Sequence, residues 1–515
     1  MKFHSILYRH AGDRPPIDTL ESPPFFIDLN LDQVLDAIVS GREEYDLKPF
    51  LRAPLNGPEA VGYRQEVMRD VRKERIAEAI AMFARSMRTV RAELHTVEKL
   101  YYVHEKERHF VDGARIYCEA VIRLTDDLAG DDVESTGLSA FGAYLAAYLQ
   151  SESFKTLHDD VKELLSNLAN VEYLVLVNGS SITVRNYSGE SDYVTSIQDT
   201  FSRFKQGSAK EYLVAFPERI GMNHVEAKVL EFVALLYPGV FSELDRFYRL
   251  HATFIDSTIH QFDREAQLYL AYAEYVQIFE RAGLQTCYPQ VSSETKDVIG
   301  EDCFDFALAQ KLIATGTPVV CNDFHLSGPE RVFVVSGPNQ GGKTTFARTF
   351  GQMQYLASLG FPVAGRRART FLFDAMFSHF ERQEDPGSLR GKLEDDLIRL
   401  HDILARATSA SIIIINEIFT STTARDAGVL GRKIMAQILR LDGLCVFVTF
   451  IDELASLSEK TVSMVSLVDP RNPDVRTYKL ERKPADGLAY AVSLAEKYGL
   501  TYRRLKERLS GAGPG

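Results

Sequence analysis

The sequence predicts a mostly α-helical region with a small β hairpin, followed by an α/β domain on a mostly parallel sheet, and three observations carry that prediction. Apolar residues recur at helical spacing from Pro54 to about residue 285. Beyond residue 286, short apolar runs alternate with helical stretches, as in a doubly wound sheet. Between one such run, Val332-Phe333-Val334-Val335, and a helical stretch from Thr345 to Leu359 lies a glycine loop ending in a lysine, Gly337-Pro338-Asn339-Gln340-Gly341-Gly342-Lys343-Thr344.

Taken in order, residues 1–50 carry Pro15, Pro16, Pro23 and Pro24 and short apolar runs such as Phe25-Phe26-Ile27, which suggests a small element packed on something larger. Residues 51–285 form the helical region, opening near Pro58-Glu59 and continuing through Ile76, Ile80 and Phe83, then Leu94 to Leu128, Leu138 to Leu149, Thr156 to Leu168 and Val225 to Gly283. A break near residues 171–187 reads as a hairpin: Tyr173 to Val177 and Ser181 to Arg185 are β-rich, with Asn178-Gly179 suited to a tight turn. In residues 286–515 the expected strands are Val332 to Ser336, Ser411 to Asn416, Leu444 to Phe450, Val462 to Val468 and Val475 to Leu480. The expected helices are Thr345 to Leu359, Lys392 to Arg406, Asp426 to Leu441 and Glu453 to Leu457.

Composition narrows the class. A chain of 515 residues with 45% hydrophobic and 25% charged residues suits two or three ordinary globular domains. No run of about eighteen apolar residues occurs and the start lacks a signal-peptide stretch, so no membrane span and a cytoplasmic location are expected. Cys118, Cys287, Cys303, Cys321 and Cys445 form no C-x-x-C pair, which argues against a disulfide framework and a structural zinc site. The formal charge of −12 speaks against a surface that binds nucleic acid everywhere, so any DNA contact is expected to be focal.

The glycine loop has the chemistry of a phosphate cradle. Glycines let backbone N–H groups turn inward around a triphosphate, Lys343 reaches the β- and γ-phosphates, and Thr344 offers its hydroxyl to Mg²⁺ at a positively polarised helix start. This makes 337–345 the expected binding site for ATP, Thr345 included. A second signal is Ser411-Ile412-Ile413-Ile414-Ile415-Asn416-Glu417, an isoleucine run ending in a polar pair. Such a run fits a central parallel strand, and its carboxyl end points into the crevice where ligands bind. In nucleotide hydrolysis the first of these positions usually carries an Asp that supports Mg²⁺ and the second a Glu that orients water. Glu417 is therefore the expected catalytic carboxylate beside Lys343, and Asn416 a metal partner that keeps the oxygen without the charge.

These residues resemble a family. Gly337-Pro338-Asn339-Gln340-Gly341-Gly342-Lys343-Thr344-Thr345 is similar to the G-P-N-x-x-G-K-S-T loop of the MutS mismatch-repair ATPases. Asn416 to Asp426 resembles that family's D-E-I-G-R-G-T-S-T-x-D segment, with Glu417, Thr422 and Asp426 at matching positions. Val320-Cys321-Asn322-Asp323 resembles the approach to the loop, and Phe373-Asp374-Ala375-Met376-Phe377 the I-D-R-I-F segment; Pro54-Leu55 and Tyr63 to Val67 look like the opening of the helical core. The resemblance implies an ABC-like P-loop NTPase domain, a helical core and lever, and a reduced clamp at the hairpin. It further implies a homodimer through the nucleotide domains, with Thr422, Thr423, Asp426 and Ser388 facing the partner, and DNA with possible repair proteins as partners.

Departures qualify what carries over. The family's mismatch-reading and connector domains find no room in this chain, so direct mismatch recognition is not expected. The family's T-H pair reads Thr449-Phe450, and the serine-rich segment around Gly387-Ser388-Leu389 has altered spacing. Slow hydrolysis is expected. An ATP-gated protein scaffold without nucleic acid remains the alternative, whereas a transporter subunit is disfavoured because no L-S-G-G-Q segment lies between Lys343 and Asn416. His104 and His109 are off the i, i+4 spacing for zinc, and the basic runs Arg366-Arg367-Ala368-Arg369 and Tyr502 to Lys506 read first as solvated faces.

Overall fold

The computed structural model of the protein describes residues 3–13, 23–130, 132–179, 181–189, 221–381, 391–469, 472–485, 502 and 506. The chain forms two compact units. One comprises Glu74–Val133 and Ser139–Asp263 with the first three residues, the other His4–Lys73, Glu134–Leu138 and Arg264–Gly515. The chain thus passes between the units after residues 3, 73, 133, 138 and 263, whereas the sequence pattern alone suggests divisions near 50 and 285. Helical periodicity marks where a helix runs, not which core its apolar face enters.

The first unit is helical. Helices Glu74–Lys99 and Val103–Leu128 run alongside each other, and Ile76, Ile80, Phe83, Met87 and Val90 are buried at alternating four- and three-residue spacing. The single helical stretch expected from Leu94 to Leu128 is broken at Leu100–Tyr102, where Tyr102 is extended (ψ 132°). No proline or glycine marks this break in the sequence. Further helices span Glu152–Ala169, His224–Leu236 and Pro238–Leu250, and aromatic contacts such as Phe110 with Phe254 at 5.3 Å and Phe141 stacked on Phe262 at 3.7 Å fill the interior. Strands Tyr173–Asn178 and Ser181–Asn186 form the expected antiparallel hairpin. Asn178 pairs with Ser181, so the turn starts at Gly179, one residue later than the Asn178-Gly179 reading. Asn-Gly and Gly-Ser both suit two-residue turns, and only cross-strand pairing separates them. His104 and His109 face Glu107 and Glu93 at 2.9 and 2.6 Å, and no group of metal-ligating side chains exists among the described residues.

In the second unit the N-terminal residues are part of the core. Ser5 Oγ and the Ile6 N–H donate to the Glu265 carboxylate at 2.8 and 2.9 Å, while Tyr63 and Tyr269 donate to the Ser5 and Ile6 carbonyls. Fully buried Arg64 donates to Leu7 O and, at 2.9 Å, to Leu359 O just past a helix C-terminus, where a positive charge meets the negative end of the helix dipole.

The main sheet consists of β1 (Val332–Ser336), β2 (Met376–Phe380), β3 (Ile412–Asn416), β4 (Leu444–Val448), β5 (Thr461–Asp469) and β6 (Asn472–Arg482), in the order β2-β3-β4-β1-β5-β6. The first five are parallel and β6 runs antiparallel on the β5 edge. Every residue of β1, β3 and β4 is buried, which explains their uninterrupted apolar runs. Helices α1 (Lys343–Ser358), α2 (Lys392–Arg406) and α3 (Ala424–Leu441) cover both faces. Val332, Val334, Ile413 and Ile415 meet Leu400 and Ile403 of α2 and Met435 and Ile438 of α3 on one face. Phe333, pointing the other way, meets Phe346 and Phe350 of α1 at 5.7 and 5.9 Å. The helix expected over Glu453 to Leu457 is a 3₁₀ turn, Asp452–Ser456.

A second sheet was not legible: Gln290–Ser292, Arg367–Phe371, Val298–Cys303 and Asn322–Leu326 pair in that order. Arg367 to Arg369 belongs to it, and Arg366 immediately precedes the strand. Arg366 and Arg367 meet Glu301 at 3.1 and 3.4 Å and Arg369 meets Asp297 at 3.9 Å, so this basic run is matched by carboxylates on neighbouring segments. Most of the run from Tyr502 to Lys506 lies outside the described residues. Among those described, no helix is long and apolar enough to cross a membrane.

At the opposite end of the main sheet from the glycine loop, Asp442 ends α3 in the left-handed region (φ 60°). Its carboxylate gathers Lys460 at 2.6 Å, Lys296 at 3.2 Å and Arg331 at 3.3 Å. Burial alone would raise its pKa; the hydrogen bonds from Lys460 and Lys296 and the Arg331 charge outweigh this and bring it down to about 2. The folded state therefore gains stability above pH 3.8, the ordinary value, and loses it as pH falls toward 2. Asn also tolerates the left-handed region, so Asp442→Asn isolates the charge; it should lower stability at pH 7 by about 1 kcal/mol, with solvent screening allowed for. Urea unfolding at pH 7 and pH 3 should show the gap between wild type and variant shrinking at the lower pH, and an equal gap at both would contradict the assignment.

Candidate functional site

Strand register brings the site together. Asn416 pairs with Val448, Val448 pairs with Val335, the Thr449 N–H donates to Val335 O at 2.9 Å, and the Glu417 N–H to Val448 O at 3.0 Å. The ends of β3, β4 and β1 are thus level, so the loop leaving β1 at Gly337 runs beside Asn416 and Glu417. Gly342, with φ +97°, precedes the first residue of α1, and Gly337 turns the chain with φ +116°; neither conformation suits a residue with a Cβ.

Lys343 is 4% exposed and its Nζ is fully engaged: it donates to Gly337 O at 3.0 Å, Pro338 O at 3.2 Å and Asn339 Oδ1 at 3.4 Å, and faces Glu417 Oε1 at 3.3 Å. Thr344 Oγ1 donates to Asn416 Oδ1 at 3.1 Å. Glu417 itself sits in the left-handed region (φ 53°), as does Phe419 (φ 62°). An αL residue with a Cβ costs about 1 kcal/mol, and such conformations collect where a loop is bent to hold a side chain. Phe419 occupies a position that is glycine in the D-E-I-G-R-G-T pattern, and its fully buried ring among Ile413, Met435 and Phe447 offsets that cost.

Beside the loop opens a cavity of about 700 Å³, a volume suited to a nucleotide-sized ligand. One wall is Asn339 to Thr345 with Glu417, and the other is mainly apolar, formed by Leu308, Leu312, Pro318, Val319 and Val320 together with Thr317 and the buried Asp305, with half-exposed Tyr478 also in the lining. Asn322 joins the two sides, its amide donating to Tyr478 O at 3.1 Å and its Oδ1 accepting the Leu480 N–H at 2.8 Å. Gly337 and Pro338 do not line the cavity; their carbonyls turn to Lys343. The donor set suits a triphosphate with Mg²⁺: a lysine, the N–H groups of a helix start, and two neutral oxygens for a hard cation that keeps most of its ligands from water and phosphate.

Of the remaining expected residues, Thr423 and Asp426 are exposed and Thr422 half-buried, and none of them lines the cavity. Thr423 caps α3, its Oγ1 accepting the Asp426 N–H at 3.2 Å and donating to Asp426 Oδ2 at 2.8 Å. Ser388 lies outside the described residues. Phe450, where the resembled T-H pair has histidine, is exposed, and Thr449 is buried. The apolar wall, Tyr478, and Ser466, whose hydroxyl bonds the loop, escaped the sequence reading. Two serines, Ser463 and Ser466, interrupt the apolar run Val462 to Val468, and nothing local singles out the second.

The MutS domain V family matches residues 333–504. The chain is also similar to an endonuclease MutS2 of Gemmatimonas aurantiaca, 28% identical over 204 residues, which is 38% of this chain and 25% of that protein. It is similar to DNA mismatch repair proteins MutS of Erythrobacter litoralis (29% over 223 residues, 42% of this chain and 25% of that protein) and Zymomonas mobilis (27% over 216 residues, 41% and 24%). The match spans about a quarter of the length of these relatives.

The cap gives Thr423 a role that needs no partner. Thr423→Ala should lower thermal stability by about 1 kcal/mol, the usual loss for an N-cap hydroxyl, at any protein concentration. A melting temperature identical to wild type would remove the capping role.

Proposed function

That this chain belongs to the MutS family is the premise from which we propose its function: it binds ATP, hydrolyses it slowly, works as a dimer through its nucleotide domains, and acts on DNA in repair or recombination in the cytoplasm. The observation that carries this reading is the gathering of Lys343, Thr344, Asn416 and Glu417 at the level ends of three parallel strands, beside a cavity with one polar and one apolar wall.

In this reading the loop amides from Asn339 to Thr345, which line the cavity, cradle the phosphates, and the base lies against Leu308, Pro318 and Val319 beneath Tyr478. Lys343 exchanges the Gly337 and Pro338 carbonyls and Glu417 for phosphate oxygens. Thr344 and Asn416 would hold Mg²⁺, which would supply positive charge against the charge developing on the phosphate. Glu417, released by Lys343, then orients the attacking water. Thr422, Thr423 and Asp426 face the second subunit, so each site is completed across the dimer; Ser388, the fourth residue of that set by resemblance, lies outside the described residues. Repair proteins are candidate partners.

A second reading, an ATP-gated protein scaffold without DNA, draws support from the −12 charge and from the carboxylates that answer Arg366, Arg367 and Arg369. DNA affinity measured across salt concentrations separates the two: phosphate contacts predict a steep fall with salt, and the absence of binding to duplex, branched or single-stranded DNA at low salt selects the scaffold.

The neutral Asn416 yields a sharper test. Asn416→Asp adds one charge beside the cation and should lower the Mg²⁺ concentration for half-maximal ATPase by about fivefold, equivalent to about 1 kcal/mol in a solvated site. Glu417→Gln should retain ATP with little turnover. If wild type shows no turnover above a Lys343→Ala control at saturating Mg²⁺, ATP is a structural switch here and not a substrate. Turnover per chain should also rise as dimers form, and a rate per chain independent of concentration across the dimer dissociation constant would reject the shared site.

A further inference from the structure

The phosphate loop is held from outside by a residue of β5. Ser466 is fully buried and its Oγ donates to the Gly341 carbonyl at 2.6 Å. The approach is close enough to dictate two of the loop's glycines. A Cβ at Gly341 would lie 2.3 Å from Ser466 Oγ, and one at Gly337 would lie 2.9 Å from the Ser466 carbonyl oxygen. Arg476 of β6 repeats the arrangement one turn of the loop away, its Nε donating to the Asn339 carbonyl at 3.2 Å.

A trans peptide points its carbonyl and the following N–H in opposite directions. With the Gly341 carbonyl tied to β5, the Gly342 N–H points away from β5, and Gly341, Gly342 and Lys343 all line the cavity. We propose that Ser466 is a positioning residue for nucleotide binding, fixing the Gly341–Gly342 peptide so that its N–H faces the phosphates before they arrive. Without the hydroxyl this peptide is free to turn, and the loop must pay the ordering cost each time a phosphate binds. Ser466 acts through the backbone of Gly341 and touches no nucleotide itself. The inference rests on the ATP-site reading above.

The test uses the full chain and three ligands: ATP, ADP and adenosine, each measured by competition against a fluorescent ADP analogue. Ser466→Ala removes only the hydroxyl. It should weaken ATP and ADP by about five- to tenfold, the worth of one hydrogen bond, and leave adenosine unchanged, because the effect resides in the phosphate cradle. A merely structural role would weaken all three ligands together or none. ADP affinity equal to wild type overturns the inference, and so does a parallel loss for adenosine. Lys343→Ala separates this from failure of the site itself: if Lys343→Ala binds ATP as wild type does, the phosphate-loop reading falls and this inference with it. If Lys343→Ala loses ATP while Ser466→Ala does not, the inference alone fails. Thermal unfolding of each variant without nucleotide confirms that the comparison is between folded proteins.

Discussion

Lys343 carries a positive charge at a position only 4% exposed to solvent, and the arrangement around it follows from the need to answer that charge at all times. Leaving it unpaired at such depth would cost several kcal/mol, more than most single interactions in the domain contribute. Two loop carbonyls, the Asn339 side chain and Glu417 satisfy it. In the proposed ATP site, those same groups are what phosphate oxygens would replace. The coupling between ligand and protein is therefore built into the accounting of one ammonium group: whatever takes Lys343 also frees Glu417, at the end of the strand that supplies Asn416.

That arrangement depends on backbone geometry more than on the side chains themselves. Level ends of β3, β4 and β1 bring Glu417 to Lys343, and the left-handed bend at Glu417 turns its carboxylate inward. The bend is sustained two residues later by Phe419. Burying its ring contributes about 2 kcal/mol or more, against about 1 kcal/mol for holding a side chain in the αL region. A residue that breaks the glycine pattern of the resembled segment thus keeps the loop's shape by filling the core beneath it.

Much of this was legible in the sequence because parallel strands buried on both faces write themselves as unbroken apolar runs: Val332 to Val335 and Ile412 to Ile415 appear in the structure where the pattern puts them. The loop was legible because glycine, lysine and threonine at fixed spacing have few other uses. The small sheet was not, since its strands are three to six residues long and carry the charges of Glu301, Asp302, Arg367 and Arg369, exposed or half-buried, among their apolar residues. The charge run is exposed at Arg366 and Arg367, as a solvated face would be, with Arg367 and Arg369 on a strand and carboxylates beside them. The Asp442 cluster and the Ser466 bond join residues more than a hundred positions apart, as with Lys296 and Asp442 or Ser466 and Gly341, and no local pattern announces such meetings.

The central claim is that the loop amides of residues 339–345 receive the phosphates of ATP, and hydrogen exchange of those amides tests it most directly. Adding saturating ATP and Mg²⁺ should slow exchange in the peptide covering Gly337 to Thr345, with adenosine leaving it unchanged. ATP that binds with unaltered exchange in that peptide, or with protection confined to another part of the chain, would contradict the account.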